Sequence, residues 1–194
     1  GTHGAQTARI LERYEAHLLE SRSAATVVFG DVNSTTACAL AAVKLGIPVV
    51  HVEAGLRSFD RSMPEEINRI VTDALSQILL VSEPSGVENL KHEGVDESKI
   101  HLVGNVMMDT LVHELPEAKK SDILRRLNLE PGDPYALVTL HRPANVDDPD
   151  VLKPLLECLA GFSHKLPMVF PVHPRTQKAM DEYGFQGLFE AHPG

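Results

Sequence analysis

Five short segments of this chain hold residue types that move protons or grip anions. They are Gly30-Asp31-Val-Asn-Ser-Thr35, His51-Val-Glu53-Ala-Gly-Leu-Arg57, Pro64-Glu65-Glu66-Ile-Asn68-Arg69, His141-Arg142 and His173-Pro174-Arg175. Carboxylates and imidazoles serve as general acids and bases, and the planar fork of arginine matches phosphate oxygens. A glycine turn followed by small hydroxyl residues at a helix start lets backbone N–H groups approach an anion. The segment from Gly30 lacks the Gly-Lys-Ser/Thr ending of a P-loop, and no GxGxxG is present. Carboxylates beside a diphosphate do not add affinity, so Asp31 and Glu53 point to proton transfer elsewhere on a phosphorylated ligand.

Plainer roles compete for the same residues. Asp31 suits a helix cap, Ser62-Met-Pro-Glu65 suits a capping box with proline in the first turn, and Glu65 with Arg69 is an i, i+4 pair. His51 shares a strand face with Glu53, where a half-buried histidine more often packs than reacts. Glu53 and Arg57 have no cap to explain them. His3, His17, His92, His101, His113, His164 and His192 have no spacing that marks them as ligands.

The elements that must position these residues alternate along the chain. Apolar spacing predicts strands at 26–29, 48–52, 78–81 and 100–103, with helices before the first and over 34–46, 64–77 and 85–93. A polar, proline-bearing stretch around a charged helix at 119–127 reads as a domain boundary. The alternation resumes with strands at 135–140 and 168–172, a helix over 151–162 and a helical start near 176. Such alternation predicts parallel sheets covered by helices on both faces. Ligands of open α/β sheets bind beyond the carboxyl ends of the strands. Asp31, Glu53, Ser82, Gly104-Asn105, His141-Arg142 and His173-Pro174-Arg175 all fall there. The expected site lies between two α/β domains, with carboxylates from the first and histidines and arginines from the second.

Composition narrows the classes. The chain has 194 residues, is 43% hydrophobic and carries a net charge of −9. This excludes a disordered or collagen-like chain and argues against nonspecific nucleic-acid binding, which needs a basic field. Cys38 and Cys158 are too sparse for a disulfide scaffold or zinc module and suit a reducing cytosol. No apolar run reaches membrane-spanning length, and no signal peptide is legible. The chain opens on Gly-Thr-His-Gly and ends on Ala191-His192-Pro193-Gly194, neither resembling a natural terminus.

Together with Gly104-Asn105 and Asn145, the five segments resemble the ordered motifs of the non-hydrolysing UDP-N-acetylglucosamine 2-epimerases. The resemblance covers essentially the whole chain. It implies two Rossmann-like domains in a GT-B-like arrangement, both incomplete: 1–115 as the later part of the N-terminal domain, 116–134 as the interdomain linker region, and 135–194 as the start of the C-terminal UDP-binding domain. The implied reaction interconverts UDP-GlcNAc and UDP-ManNAc by eliminating UDP to 2-acetamidoglucal and re-adding it. The implied catalytic residues are Asp31, Glu53, Glu65 and His141. Arg57, Arg142, His173 and Arg175 are expected on the substrate and UDP, with Arg142 and His173 also matching contacts to a second, activating UDP-GlcNAc.

No cofactor or metal is implied, nor any nucleic-acid or membrane partner. A cytoplasmic homodimer serving cell-envelope polysaccharide synthesis is the expected setting. Where the family often has His-Arg-x-Glu-Asn, this chain has Ala144, which supplies no carboxylate. The family's opening Gly-x-Arg-Pro loop and its closing Ser-Gly-Gly segment are absent, so the 194 residues alone are expected to bind UDP poorly. Competing expectations are an epimerase of a related UDP-sugar, a hydrolysing relative, a GT-B glycosyltransferase and a non-catalytic nucleotide-sugar sensor.

Overall fold

Residues 2–190 are described by the structure, a computed structural model; His192 and the terminal segment 191–194 lie outside the described residues. Helix α1 (His3–Ser21) leads into strand β1 (Thr26–Phe29), α2 (Asn33–Lys44), β2 (Val49–Ala54), α3 (Pro64–Leu75), β3 (Ile78–Val81), α4 (Pro84–His92) and β4 (Ile100–Leu102). Helices α5 (Val106–Ala118) and α6 (Ile123–Arg126) follow, then β5 (Ala136–Leu137), α7 (Pro143–Val146), α8 (Pro149–Ser163), β6 (Met168–Val169), α9 (Pro174–Tyr183) and α10 (Gly187–Glu190). The chain divides into two compact units, Gly1–Lys119 and Lys120–Gly194.

The first unit is a parallel sheet in the order β1-β2-β3-β4 with helices packed on it. Its core forms where β1 and β2 meet α1 and α2: Leu18, Val28, Ala39, Ala41, Ala42 and Val49 are buried together. The alanines give α2 little bulk, so it packs closely against both α1 and α3. A second cluster, Ala54, Leu79, Val81 and Leu90, joins β2 and β3 to α4. Gly55 marks the closest approach there. A Cβ on it would lie 2.4 Å from the carbonyl oxygen of Gly86, and its φ of +79° also favours glycine.

The second unit pairs β5 with β6 in parallel, with α8 as the crossover. Val146, Leu152 and Leu156 bury themselves against Ala179 and Met180 of α9.

Strands β1 and β3 coincide with their predicted spans. In the second unit the strands are shorter than the alternation predicts, because the backbone ladder runs only from Ala136 N–H on the Pro167 carbonyl to Val138 N–H on that of Val169. The charged helix predicted at 119–127 is reduced to α6. The chain before it is already helical: α5 is capped by the Asn105 side chain on Met107 N–H at 2.9 Å and runs through Pro116 in its last turn. Cys38 and Cys158 are both free thiols.

Candidate functional site

At the carboxyl ends of β1 and β2 two acids stand side by side. Gly30, with φ of +61°, turns the chain out of β1 and leaves Asp31 at the strand end. On β2 the register slips between Val52 and Ala54, and the residue at the slip, Glu53, has φ of +70°. A non-glycine residue in that region is strained, and such strain persists only where surrounding contacts fix it. The distortion turns Glu53 toward β1: a Cβ placed on Gly30 would lie 3.6 Å from Glu53 Oε2. Glu53 is half-buried and has no polar partner among the described residues.

Asp31 does not cap α2. The N-cap is Val32, without a side-chain bond, and the Asp31 carboxylate instead accepts from Arg69 Nη1 at 2.6 Å. Asn68 of the same helix donates to the Asp31 carbonyl at 2.9 Å, so α3 grips this residue through both backbone and side chain.

Glu65 stands in the first turn of α3, exposed and one turn from Arg69. The expected capping box and i, i+4 pair are not formed: Met63 is the N-cap with no side-chain bond, and Arg69 turns to Glu66. Glu66, which the motif reading passed over, is 1% exposed and accepts from Ser58 N–H, Phe59 N–H, Arg69 Nε and Arg69 Nη2 at 2.7–3.0 Å. Burial alone would raise its carboxyl, but the Ser58 N–H, the Arg69 guanidinium and the Phe59 N–H outweigh it and hold the group at about 2. Arg69 therefore joins a buried structural acid to a strand-end acid. A carboxylate one helical turn before Arg69 is common, and nothing in the residue types tells which of Glu65 and Glu66 faces inward.

Arg57, expected on the substrate and UDP, turns its guanidinium to acids of the protein. Its side chain is 1% exposed and forms ion pairs with Asp73 at 2.7 Å and Glu93 at 2.7 Å, while Nη1 also donates to the carbonyl of Leu56. Burial by itself would lower its pKa, yet Glu93 and Asp73 hold it above the ordinary arginine value. The arginine fork thus binds α3 and α4 to the end of β2. His51 is fully buried rather than half-buried, and bonds to Asp73 and to the carbonyl of Gly30.

In the second unit, His141 and His173 are brought together with ring centroids 5.4 Å apart. The cause is visible in the packing. Buried Thr176, in the first turn of α9, donates its hydroxyl to the carbonyl of Leu140, the residue before His141. His173 is the N-cap of α9, its Nδ1 accepting from Arg175 N–H at 3.1 Å. That bond requires an unprotonated Nδ1 and leaves Nε2 as the donor nitrogen. Arg175 is bidentate on Asp147, at 2.7 and 2.5 Å, so a phosphate would have to displace that carboxylate. The Arg142 side chain, exposed at the N-cap of α7, has no partner among the described residues. Among the described residues no group of His, Cys, Asp and Glu could hold a metal ion, and no helix is long and apolar enough to cross a membrane.

The arrangement is that of an α/β protein of parallel sheets flanked by helices, with acids at the strand ends of one unit and an imidazole pair at those of the other. The chain belongs to the UDP-N-acetylglucosamine 2-epimerase family, whose model matches residues 1–190. A UDP-N-acetylglucosamine 2-epimerase of Methanococcus maripaludis is 41% identical, over 98% of this chain and 53% of its own length. A UDP-2,3-diacetamido-2,3-dideoxy-D-glucuronate 2-epimerase of Pseudomonas aeruginosa is 42% identical, over 96% of this chain and 52% of its own. The crystal structure of Methanocaldococcus jannaschii UDP-GlcNAc 2-epimerase in complex with UDP-GlcNAc and UDP superposes with a TM-score of 0.90 at 41% identity, covering 100% of this chain and 54% of that one. The Neisseria meningitidis UDP-GlcNAc 2-epimerase bound to UDP-GlcNAc gives 0.85 at 26% identity, over 96% and 53%. The chain spans about half the length of the curated relatives it matches.

Proposed function

We propose that the protein to which this chain belongs is a non-hydrolysing UDP-N-acetylglucosamine 2-epimerase. The observation that carries the reading is the pair of strand-end carboxylates: Asp31 aimed by Arg69, and Glu53 held in a strained turn beside Gly30. Inverting C2 requires removing its proton on one face and returning one on the other. Carbon acids of this kind become reactive when a leaving group departs from the neighbouring carbon. A carboxylate takes the C2 proton, the C–H electron pair forms a C1–C2 double bond, and the C1–oxygen bond breaks to release UDP. Re-addition of UDP with a proton on the opposite face gives UDP-N-acetylmannosamine. Asp31, Glu53 and Glu65 supply the acids and bases. His141 serves the diphosphate, with Arg142, His173 and, on leaving Asp147, Arg175 binding its oxygens. The protein works as a homodimer in the cytoplasm, and a second UDP-GlcNAc at Arg142 and His173 activates it.

The test is incubation of the full-length protein with UDP-GlcNAc in deuterated water. Deuterium at C2 with appearance of UDP-ManNAc is expected; absence of both label and product overturns the reading for this substrate, and release of free ManNAc reassigns it to a hydrolysing enzyme. A second substrate belongs in the same assay. The Pseudomonas relative is as similar as the UDP-GlcNAc relatives, and Ala144 lacks the carboxylate frequent at that position. Exchange only on the UDP-diacetamido-glucuronate would move the assignment to that sugar.

A further inference from the structure

Beneath the two strand-end acids lies an ionisable pair with no part in the proton transfers just described. His51 is completely buried, with Nδ1 2.6 Å from Asp73 Oδ1 and Nε2 2.9 Å from the carbonyl oxygen of Gly30, the residue before Asp31. The other oxygen of Asp73 accepts from Gly55 N–H at 3.1 Å, two residues after Glu53, and from Arg57 Nη1 at 2.7 Å. Both partners of the ring are acceptors.

We infer that His51 and Asp73 are positioning residues for the proposed epimerase chemistry, setting the spacing of Asp31 and Glu53 by holding the Gly30 carbonyl and the Gly55 N–H. The inference rests on the epimerase reading above. Glu53 holds a φ of +70° between Gly30 at +61° and Gly55 at +79°; the glycines adopt such angles freely, but a non-glycine residue there is strained and persists only where surrounding contacts fix it. A packing role would ask only for volume at position 51, whereas here each nitrogen is spent on a directed bond, one leading to each turn. Displacement of a reacting group by about 1 Å can cost on the order of a hundredfold in rate.

The experiment uses the full-length protein and two substitutions that split the ring's bonds. In His51→Asn the amide nitrogen can take the place of Nδ1, keeping Asp73 and losing Gly30; in His51→Gln it can take the place of Nε2, keeping Gly30 and losing Asp73. Turnover of UDP-GlcNAc, C2 deuterium exchange and thermal melting are measured for each. The expected result is a kcat lowered by about tenfold or more in His51→Asn with KM within about twofold of wild type, and partial recovery of kcat in His51→Gln. Wild-type kcat in both variants overturns the inference, as does a loss of activity that merely tracks a loss of folded protein. If His51→Asn does not fold, His51→Gln decides: lowered kcat with unchanged KM and melting supports the positioning role, and wild-type kcat removes it. A wild-type protein that exchanges no deuterium instead sinks the epimerase reading, and the inference with it.

Discussion

Arg69 is the residue on which two differently placed acids depend. Its guanidinium is 13% exposed and bridges Asp31 at the strand end to Glu66 in the interior. Removing one partner of a buried ion pair leaves an uncompensated charge, which costs about 3–5 kcal/mol. Arg69→Leu is therefore expected to lower stability by an amount near the bottom of that range, because Glu66 keeps its two backbone donors. Activity should fall further than stability, since Asp31 loses its aim; calorimetry beside turnover separates the two, and a variant as active as wild type per folded molecule would refute the coupling.

Glu66 also makes a pH statement. Its folded value of about 2 lies below the ordinary 4.5, so its stabilisation is fully present above that ordinary value and is lost as pH falls through 4.5 toward 2. The melting temperature should drop across this window, and Glu66→Gln should start lower near neutrality and descend less steeply. Parallel melting curves over the same pH range would show that Glu66 does not carry the effect. The motif Pro64-Glu65-Glu66 made an acid at this helix start legible in the sequence. Which of two adjacent glutamates turns inward depends on the Ser58 and Phe59 amides, and a loop contact across that separation leaves no periodic signal.

Two element junctions govern how the site is presented. Where β2 leaves the sheet and α4 begins, Gly55 and Gly86 touch backbone to backbone. A methyl on Gly55 meets the Gly86 carbonyl at 2.4 Å, and one on Gly86 meets Val81 Cγ1 at 2.7 Å. Gly55→Ala suffers both overpacking and an unfavourable φ, so a loss of about 2–3 kcal/mol or more is expected by urea unfolding; Gly86→Ala, with no positive φ to strain, should lose less. Equal losses would mean that contact alone matters.

At the start of α9, His173 is a helix cap as well as an imidazole beside His141. His173→Ala should cost about 1 kcal/mol for the cap, whereas His173→Asn should restore it, because asparagine is among the strongest N-cap residues. If both variants lose UDP-sugar turnover while only the alanine variant loses stability, imidazole and cap are separate functions of one side chain. Recovery of turnover by asparagine would assign His173 to capping alone. The start of α3 was legible, because Pro64 sits inside its first turn, whereas α9 begins at Pro174, before the start read near 176. The distortion at Glu53 was not, since a register slip arises from pairing between strands rather than from any residue within one.

At the scale of the whole molecule, the alternation of apolar runs sufficed to define parallel sheets flanked by helices, since each run is short and β-rich and each intervening stretch has helical period. Helix α5 escaped that reading although Met108, Leu111, Val112 and Leu115 recur at helical spacing; all four are exposed, so the stripe joins none of the buried clusters. Burial instead separates into clusters that belong to one unit or the other, with Leu18, Val28 and Val49 in the first and Val146, Leu152, Leu156 and Met180 in the second. A cavity in one cluster removes contacts from that unit's own elements. Leu152 is completely buried, so Leu152→Ala is expected to cost about 2–5 kcal/mol. In hydrogen exchange, amides of α8 and α9 should lose protection while those of β1 to β3 keep theirs. The same loss throughout β1 to β3 would mean that both clusters unfold as one cooperative core. Confined to α8 and α9, it would place the support for the His141–His173 pair in the second unit's own packing, passed from the Leu152 cluster through Met180 and Thr176 to the Leu140 carbonyl.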